Sequence, residues 1–318
     1  MHRRTLLAAL AAPAVAVAQP AWPNDKPVEV IVPFPPGGGV DVMTRLVMPM
    51  VAERIPGMRT VVSNRPGAAS QIGLEAVFNA APDGYTLGAT TIPAHSAVAL
   101  ERPVRFRPLD FTFLANIVDD PNCLYVRTEN PIRSLADFVA AAKARPGQLD
   151  YGTTGIGSDD HIMMLAFEAA AGLPALTHVP FAGVAPLLPQ LLGGHLASAV
   201  GNTTELYTLS REGRMRGLAV ASAARLPEMP DLPTFREQGF DIVASASRGI
   251  IAPPGLPAEI AARLQAAFGA AIADPAFIRE TERQHLPLRP LLGAEYKAMA
   301  AAVDAQLREL WQRRPWRG

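Results

Sequence analysis

The chain has 318 residues, 49% of them hydrophobic and 18% charged, with 29 Lys+Arg balancing 29 Asp+Glu. So much apolar surface excludes a disordered chain, and at about 100–200 residues per domain the length points to two domains. With no basic block beyond the short pairs at Arg3 and Arg313, the sequence lacks the electrostatic footprint of a nucleic-acid partner.

The chain begins MHRRTLLAALAAPAVAVA, a pair of arginines, an apolar Leu/Ala run and Ala16-Val17-Ala18. This order matches the three regions of a secretory signal, so residues 1–18 are expected to be a signal peptide cleaved after Ala18. Pro13 interrupts the run, which falls short of the ~20 apolar residues of a membrane span. Arg3-Arg4 leaves both the Sec and the twin-arginine route open. No later apolar run reaches spanning length without charges or prolines, so the mature chain is expected in the periplasm. The single cysteine, Cys123, excludes an internal disulfide and sits in an apolar strand as a small core residue. No cluster of Cys and His has metal-ligand spacing, and neither a metal nor a cofactor is expected.

From Val28 one unit repeats: a short β-branched run, a turn of Gly, Pro, Asn or Asp, then apolar residues at helical spacing. This is the pattern of an α/β fold with parallel strands. VEVIVPF precedes a helix from Asp41 to Ile55, TVVSN one from Ile72 to Ala80, and TLGATT one near Ala94. A second series begins at CLYV and continues through a helix from Ser134 to Ala144, LDYGTT, Asp159 to Ala171, LTHVPF, Val184 to Leu192, LASAV, Thr203 to Arg211 and GLAVA. Ser134 and Asp137 form a capping pair. Between the series, FTFLANIVDDPNCLYV is too long for one strand and should cross between domains, with a return crossing over Phe240 to Pro254. Helices at Pro257 to Ala273 and Gly293 to Arg314 should pack outside.

Three strand-to-helix turns could bind a ligand: PFPPGGGVD (Pro33 to Asp41), GTTGIGSDDH (Gly152 to His161) and PFAGVAP (Pro180 to Pro186). A glycine-bearing turn there exposes several N–H groups while the helix dipole adds about half a positive charge, which attracts anions. In open α/β sheets the ligand crevice lies at such strand ends. Taken singly, each loop also reads as an ordinary tight turn. None carries the lysine of a phosphate-binding P-loop or a dinucleotide fingerprint.

VPFPPGGGVDVMTR, SNRPGAASQIG, APDGYTL, YGTTGIGSDDH, VPFAGVAPLLPQLLGG, RGLAVASAARLPEMPDLPTFREQGF and APPGLP, in that order, resemble the Bug family of extracytoplasmic solute receptors of tripartite tricarboxylate transporters. The resemblance implies a type II periplasmic-binding-protein fold, with a first lobe of residues 22–120 plus 246–318 and a second of 121–245. It also implies a small organic carboxylate as solute, membrane permease subunits as partners, and a monomeric, non-enzymatic protein. By position it places Pro36, Gly37, Gly38 and Asp41 in a first contact loop and Thr153, Thr154, Gly157, Ser158 and His161 in a second. Ala182, Gly183 and Ala185 fall in a third, which in the family often positions water. The chain departs from the family where Ser63, Ala69 and Ser70 replace Glu and two glycines. Gly201 stands where an aspartate is usual, which leaves Asn202, Thr203 and Thr204 as neutral polar groups. Ser247, next to Arg248, replaces an aromatic residue.

Other readings compete at single residues. Asp41 and Arg45, four apart on a helix, can pair with each other, and Asp159 and Asp160 can cap a helix. Ser158, Asp159 and His161 stand too close in sequence for a hydrolytic relay. Arg248 should lie at the hinge, contacting either an anionic ligand or an acid of the other lobe. An enzyme on the same fold, or a sensor that presents its closed form to a membrane signalling protein, are the alternative functions.

Overall fold

The computed structural model describes residues 22–316; the expected signal peptide lies outside the described residues. The β-branched runs form β1 (Val28–Val32), β2 (Thr60–Asn64) and β3 (Thr86–Ile92), with α1 (Gly39–Glu53), α2 (Gln71–Phe78) and α3 (Ala94–Glu101) between and after them. β1 pairs in parallel with both β2 and β3. Val28, Val30 and Val32 pack against Met43, Val47 and Val51 of α1, residues four apart that place one helix face on the sheet. The opposite face of this sheet takes Ile31, Leu74 of α2 and Phe113.

The polar-centred stretch FTFLANIVDDPNCLYV forms one strand, β4 (Thr112–Arg127), of 16 residues. Its length corrects the expectation from the sequence, although the crossing itself is present. Register shifts at Phe113/Ala115, Asn116/Val118 and Leu124/Tyr125 bend the strand, so that one run can serve two sheets. Up to Pro121, which has no N–H to donate, β4 pairs antiparallel with β9 (Ser245–Ala252). From Asn122 it pairs antiparallel with β7 (Ser198–Asn202) and from Cys123 with β8 (Met215–Val220).

The second half holds α4 (Leu135–Ala144), β5 (Asp150–Thr153), α5 (Asp159–Ala170), β6 (Thr177–Pro180), α6 (Val184–Leu192) and α7 (Thr203–Arg211). β5 lies parallel to β6 and β7. The sheet is therefore mixed rather than wholly parallel, because β4 and β9 run against their neighbours as they carry the chain across and back. Leu124, Tyr151, Phe167 and Phe235 lie in the core on one face of this half, and Cys123, Tyr125, Leu187 and Leu206 on the other. Cys123 is a buried core residue, and burial pushes its thiol well above the usual range.

Beyond β9 come α8 (Ala258–Ile272), α9 (Pro275–Arg283), β10 (Leu288–Leu292) and α10 (Gly293–Arg313). The short helix α9 and strand β10 extend the sequence reading, β10 pairing antiparallel with β4 in the first half. Among the described residues no helix is long and apolar enough to cross a membrane.

Candidate functional site

The first loop ends at the N-terminus of α1. Its N-cap is Gly38, which has no side chain to offer, so the first-turn N–H groups have no acceptor within the helix. Gly37, at φ 82°, turns its N–H back to Asp41 Oδ2 at 2.9 Å. The same carboxylate accepts from Arg45 Nε at 3.0 Å and from Asn64 Nδ2 at 2.9 Å. Burial alone would raise this carboxyl, but the bonds from Arg45, Gly37 and Asn64 hold it below the ordinary range. Asp41 therefore shapes the loop, while Pro36, Gly37 and Gly38 stay exposed beside it.

The second loop uses many of its own polar groups internally. Thr153 Oγ1 stands 2.7 Å from His178 Nε2, and Thr154 donates from N and Oγ1 to Asp160 Oδ2 at 3.1 and 2.6 Å. The cap of α5 is Ser158, whose Oγ accepts from the backbone N–H of His161, so neither Asp159 nor Asp160 takes the capping role the sequence offers them. Gly157, at φ 70°, donates its N–H to His161 Nδ1 at 3.1 Å. The His161 ring stacks on His178 at 3.9 Å between centroids, and His178 stacks on Tyr151 at 5.0 Å. Burial, with His178 and Arg314 adding repulsion, lowers His161 to about 3, and burial lowers His178 to about 4. With its Nδ1 turned to Gly157 and Ser158 facing its backbone, His161 forms no relay with that serine.

The third loop is held beside the second by Phe181 N–H, which donates to Thr153 O at 2.9 Å. Gly183 caps α6 at φ 107°, a left-handed position open to glycine. It is half-buried between the exposed Ala182 and Ala185.

What joins the two halves is a polar cluster at the strand crossing. Arg248 on β9 is 2% exposed, and its Nη2 lies 3.0 Å from Asp120 Oδ2 and 3.2 Å from Asn202 Oδ1. Asp120 also accepts from Thr203 Oγ1 at 2.9 Å, from the Thr204 N–H at 3.2 Å and from the Thr204 hydroxyl. Asn202 Nδ2 reaches Asp159 Oδ2 at 2.9 Å, and Asn122 Nδ2 bridges Asp159 and Asp160. The guanidinium also abuts the first loop: a Cβ built on Gly39 would fall 2.5 Å from Nη1. The N-termini of α1, α5 and α7 thus converge on one cluster. Arg248 Nη1 is buried there without a hydrogen-bond partner.

The electrostatics of the cluster are those of buried acids around one cation. Burial lowers the basicity of Arg248, but the charges of Asp120, Glu205 and Asp159 outweigh it and keep the guanidinium protonated. Burial raises Asp120 against the opposing charge of Arg248, and burial together with Asp159 raises Asp160 well above the carboxylate range. Glu205 rises to about 7, chiefly through burial, and its Oε2 has no partner. That oxygen stands 3.9 Å from where a Cβ on Gly201 would be, so a carboxyl from the next helix comes close to the position of the missing aspartate. Of these groups the sequence reading placed Asn202 and Arg248 at the site and left out Asp120, Asn122 and Glu205. The polar run DDPN inside an otherwise apolar strand was the signal for the first two.

Residues 44–290 match the family model described as the tripartite tricarboxylate transporter family receptor. The chain is 33% identical over 257 residues to protein BugT of Bordetella pertussis, covering 80% of this chain and 77% of that protein. Among solved structures it is similar to an R. palustris protein with adipate, at 30% identity and TM-score 0.80, covering 92% of this chain and 96% of that one. It is also similar to MatC from Rhodopseudomonas palustris with bound malate, at 28% identity and TM-score 0.75, covering 90% and 96%. Family model, relatives and structural neighbours agree: the chain belongs to the tripartite tricarboxylate transporter receptor family, the Bug-type periplasmic solute-binding proteins.

Proposed function

We propose that this protein is a periplasmic receptor that closes two lobes, residues 22–120 with 246–318 and 121–245, on a small organic carboxylate and delivers it to membrane permease subunits. The observation that carries this reading is Arg248 Nη1, a buried donor without a partner beside the open first turn of α1. A charged donor packed against a helix N-terminus suits a carboxylate, which would satisfy both with charge-assisted hydrogen bonds. Two solved relatives hold dicarboxylates, malate and adipate, which makes acids of that size the first to test. Pro36, Gly37 and Gly38 would line the first-lobe side, with Ser158, Gly183 and Asn202 facing them. Asp41, Thr153, Thr154, Gly157 and His161 would act by holding the loops in shape. The receptor family to which the chain belongs supports solute binding as its activity.

Isothermal titration of the purified protein against mono- and dicarboxylates of two to six carbons tests the reading. It predicts saturable binding of at least one acid, weakened more than tenfold, about 1.4 kcal/mol or more, by Arg248→Met. If no carboxylate binds, the reading fails; if one binds equally well to both proteins, Arg248 has no part in holding it.

A further inference from the structure

Besides the strands that cross between the halves, a further connection runs along the edge of the site. Helix α10 belongs to the first half, where Tyr296 and Ala300 pack into its core. Its far end reaches the second half, with Leu307 joining Leu165 of α5 and Ala97 of α3 in one buried cluster. The segment after the helix continues that contact. Arg314 pairs with Glu168 on α5, a carboxylate only 1% exposed. Trp316, 3% exposed, packs into the same cluster and meets Trp311 edge-on at 4.7 Å.

Trp316 also reaches the second loop itself. A Cβ built on Gly157 would lie 3.4 Å from Trp316 Nε1 and 3.5 Å from Ala97 Cβ, so Gly157 packs close to two side chains of the first half. The packing that holds the indole comes from this cluster, since its buried N–H has no hydrogen-bond partner. Gly157 in turn donates to His161 Nδ1 at the start of α5. Trp316 and Arg314 therefore grip the loop and the helix that carry the second-lobe side of the site, and they do so from an anchor in the other half.

We propose that Arg314 and Trp316 are positioning residues that latch the second lobe against the first and favour the closed arrangement before any solute arrives. They touch no solute and act through Gly157 and α5. A large aromatic side chain buried between two bodies stabilises the arrangement in which they meet and is lost when they part. The consequence for solute affinity rests on the receptor reading; the geometry of the latch does not. A receptor already biased towards closure binds its solute more tightly, because less of the binding energy goes into shifting the population.

The test measures the distance between the lobes without solute, so its outcome is independent of whether a carboxylate binds. Nitroxide labels on Glu53→Cys and Lys143→Cys, both exposed, report that distance by pulsed electron resonance, while the buried Cys123 stays unlabelled. Trp316→Ala is expected to move the distribution towards longer distances, changing the open-to-closed ratio by about tenfold, and Trp316→Phe to keep most of the wild-type distribution. A wild-type distribution in Trp316→Ala, even with a lowered melting temperature, would overturn the latch. Should Trp316→Ala not fold, Arg314→Ala decides, because it removes the ion pair and leaves the aromatic packing: a shift to longer distances supports the proposal, and an unchanged distribution rejects it.

Discussion

Ala68, Ala69 and Ser70 follow one another at φ 47°, 51° and 75°, a left-handed run that side chains resist. Two of these positions are the ones where the resemblance sets glycines, and the conformation gives the reason: without a Cβ the turn into α2 carries no strain. Ser70 bears a second burden, since its Oγ is buried with no partner. Ser70→Gly should therefore stabilise the protein by about 1 kcal/mol, read as a higher denaturant midpoint; a lower midpoint would show that the serine contributes a contact. Glu205 carries a different burden. Burial raises its carboxyl from the ordinary 4.5 to about 7, with Arg248 opposing the rise and Asp120 and Asp159 adding to it. Between those values the folded chain keeps a proton that the unfolded chain gives up, so stability falls as pH rises through this window and levels off above about 7. Glu205→Gln should then melt above the wild type at about pH 8, with the gap closing towards about pH 4. A gap that is equal at both ends would mean that Glu205 ionises as freely in the fold as in the unfolded chain.

Among the elements, most of those with a local cause were legible in the sequence. Ser134 at the start of α4 accepts from the Asp137 N–H at 3.1 Å, the cap that the pair implied, while Asp137 accepts at 3.0 Å from the N–H of Arg133, one residue before the N-cap. Ser134→Ala should cost about 1 kcal/mol of stability by chemical denaturation; no loss would assign the helix start to packing by Leu135 and Phe138 instead. Helix α9 also starts locally, with Asp274 accepting from the Ala276 N–H ahead of Pro275 in the first turn, yet the sequence reading passed over it. β10 was not local: its residues are half-exposed and pair only with β4, more than a hundred residues away in sequence. The length of β4 was misjudged for a similar reason. A strand that changes partners halfway satisfies two sheets, so the crossing legible in its length and polar centre needed no break in the strand.

At the scale of the molecule, two α/β halves meet at one buried cluster, and that meeting was only half visible beforehand. Gly37 and Gly157 announced the turns, because their positive φ favours glycine. The acids around Arg248 could not be assembled from sequence, since Asp120, Asp159 and Glu205 come from three different elements and gain a shared meaning only once β4 and β9 bring them together. The polar groups of the second half are largely spent on holding their own loops, and unspent donors lie on Arg248 and the first turn of α1. The most direct measurement is a crystal structure grown with the acid that binds most tightly in the titration series. A carboxylate oxygen is expected within about 3 Å of Arg248 Nη1 and of a first-turn N–H of α1. A solute whose carboxylates all lie away from Arg248, or one bound outside the space between the two halves, would contradict it.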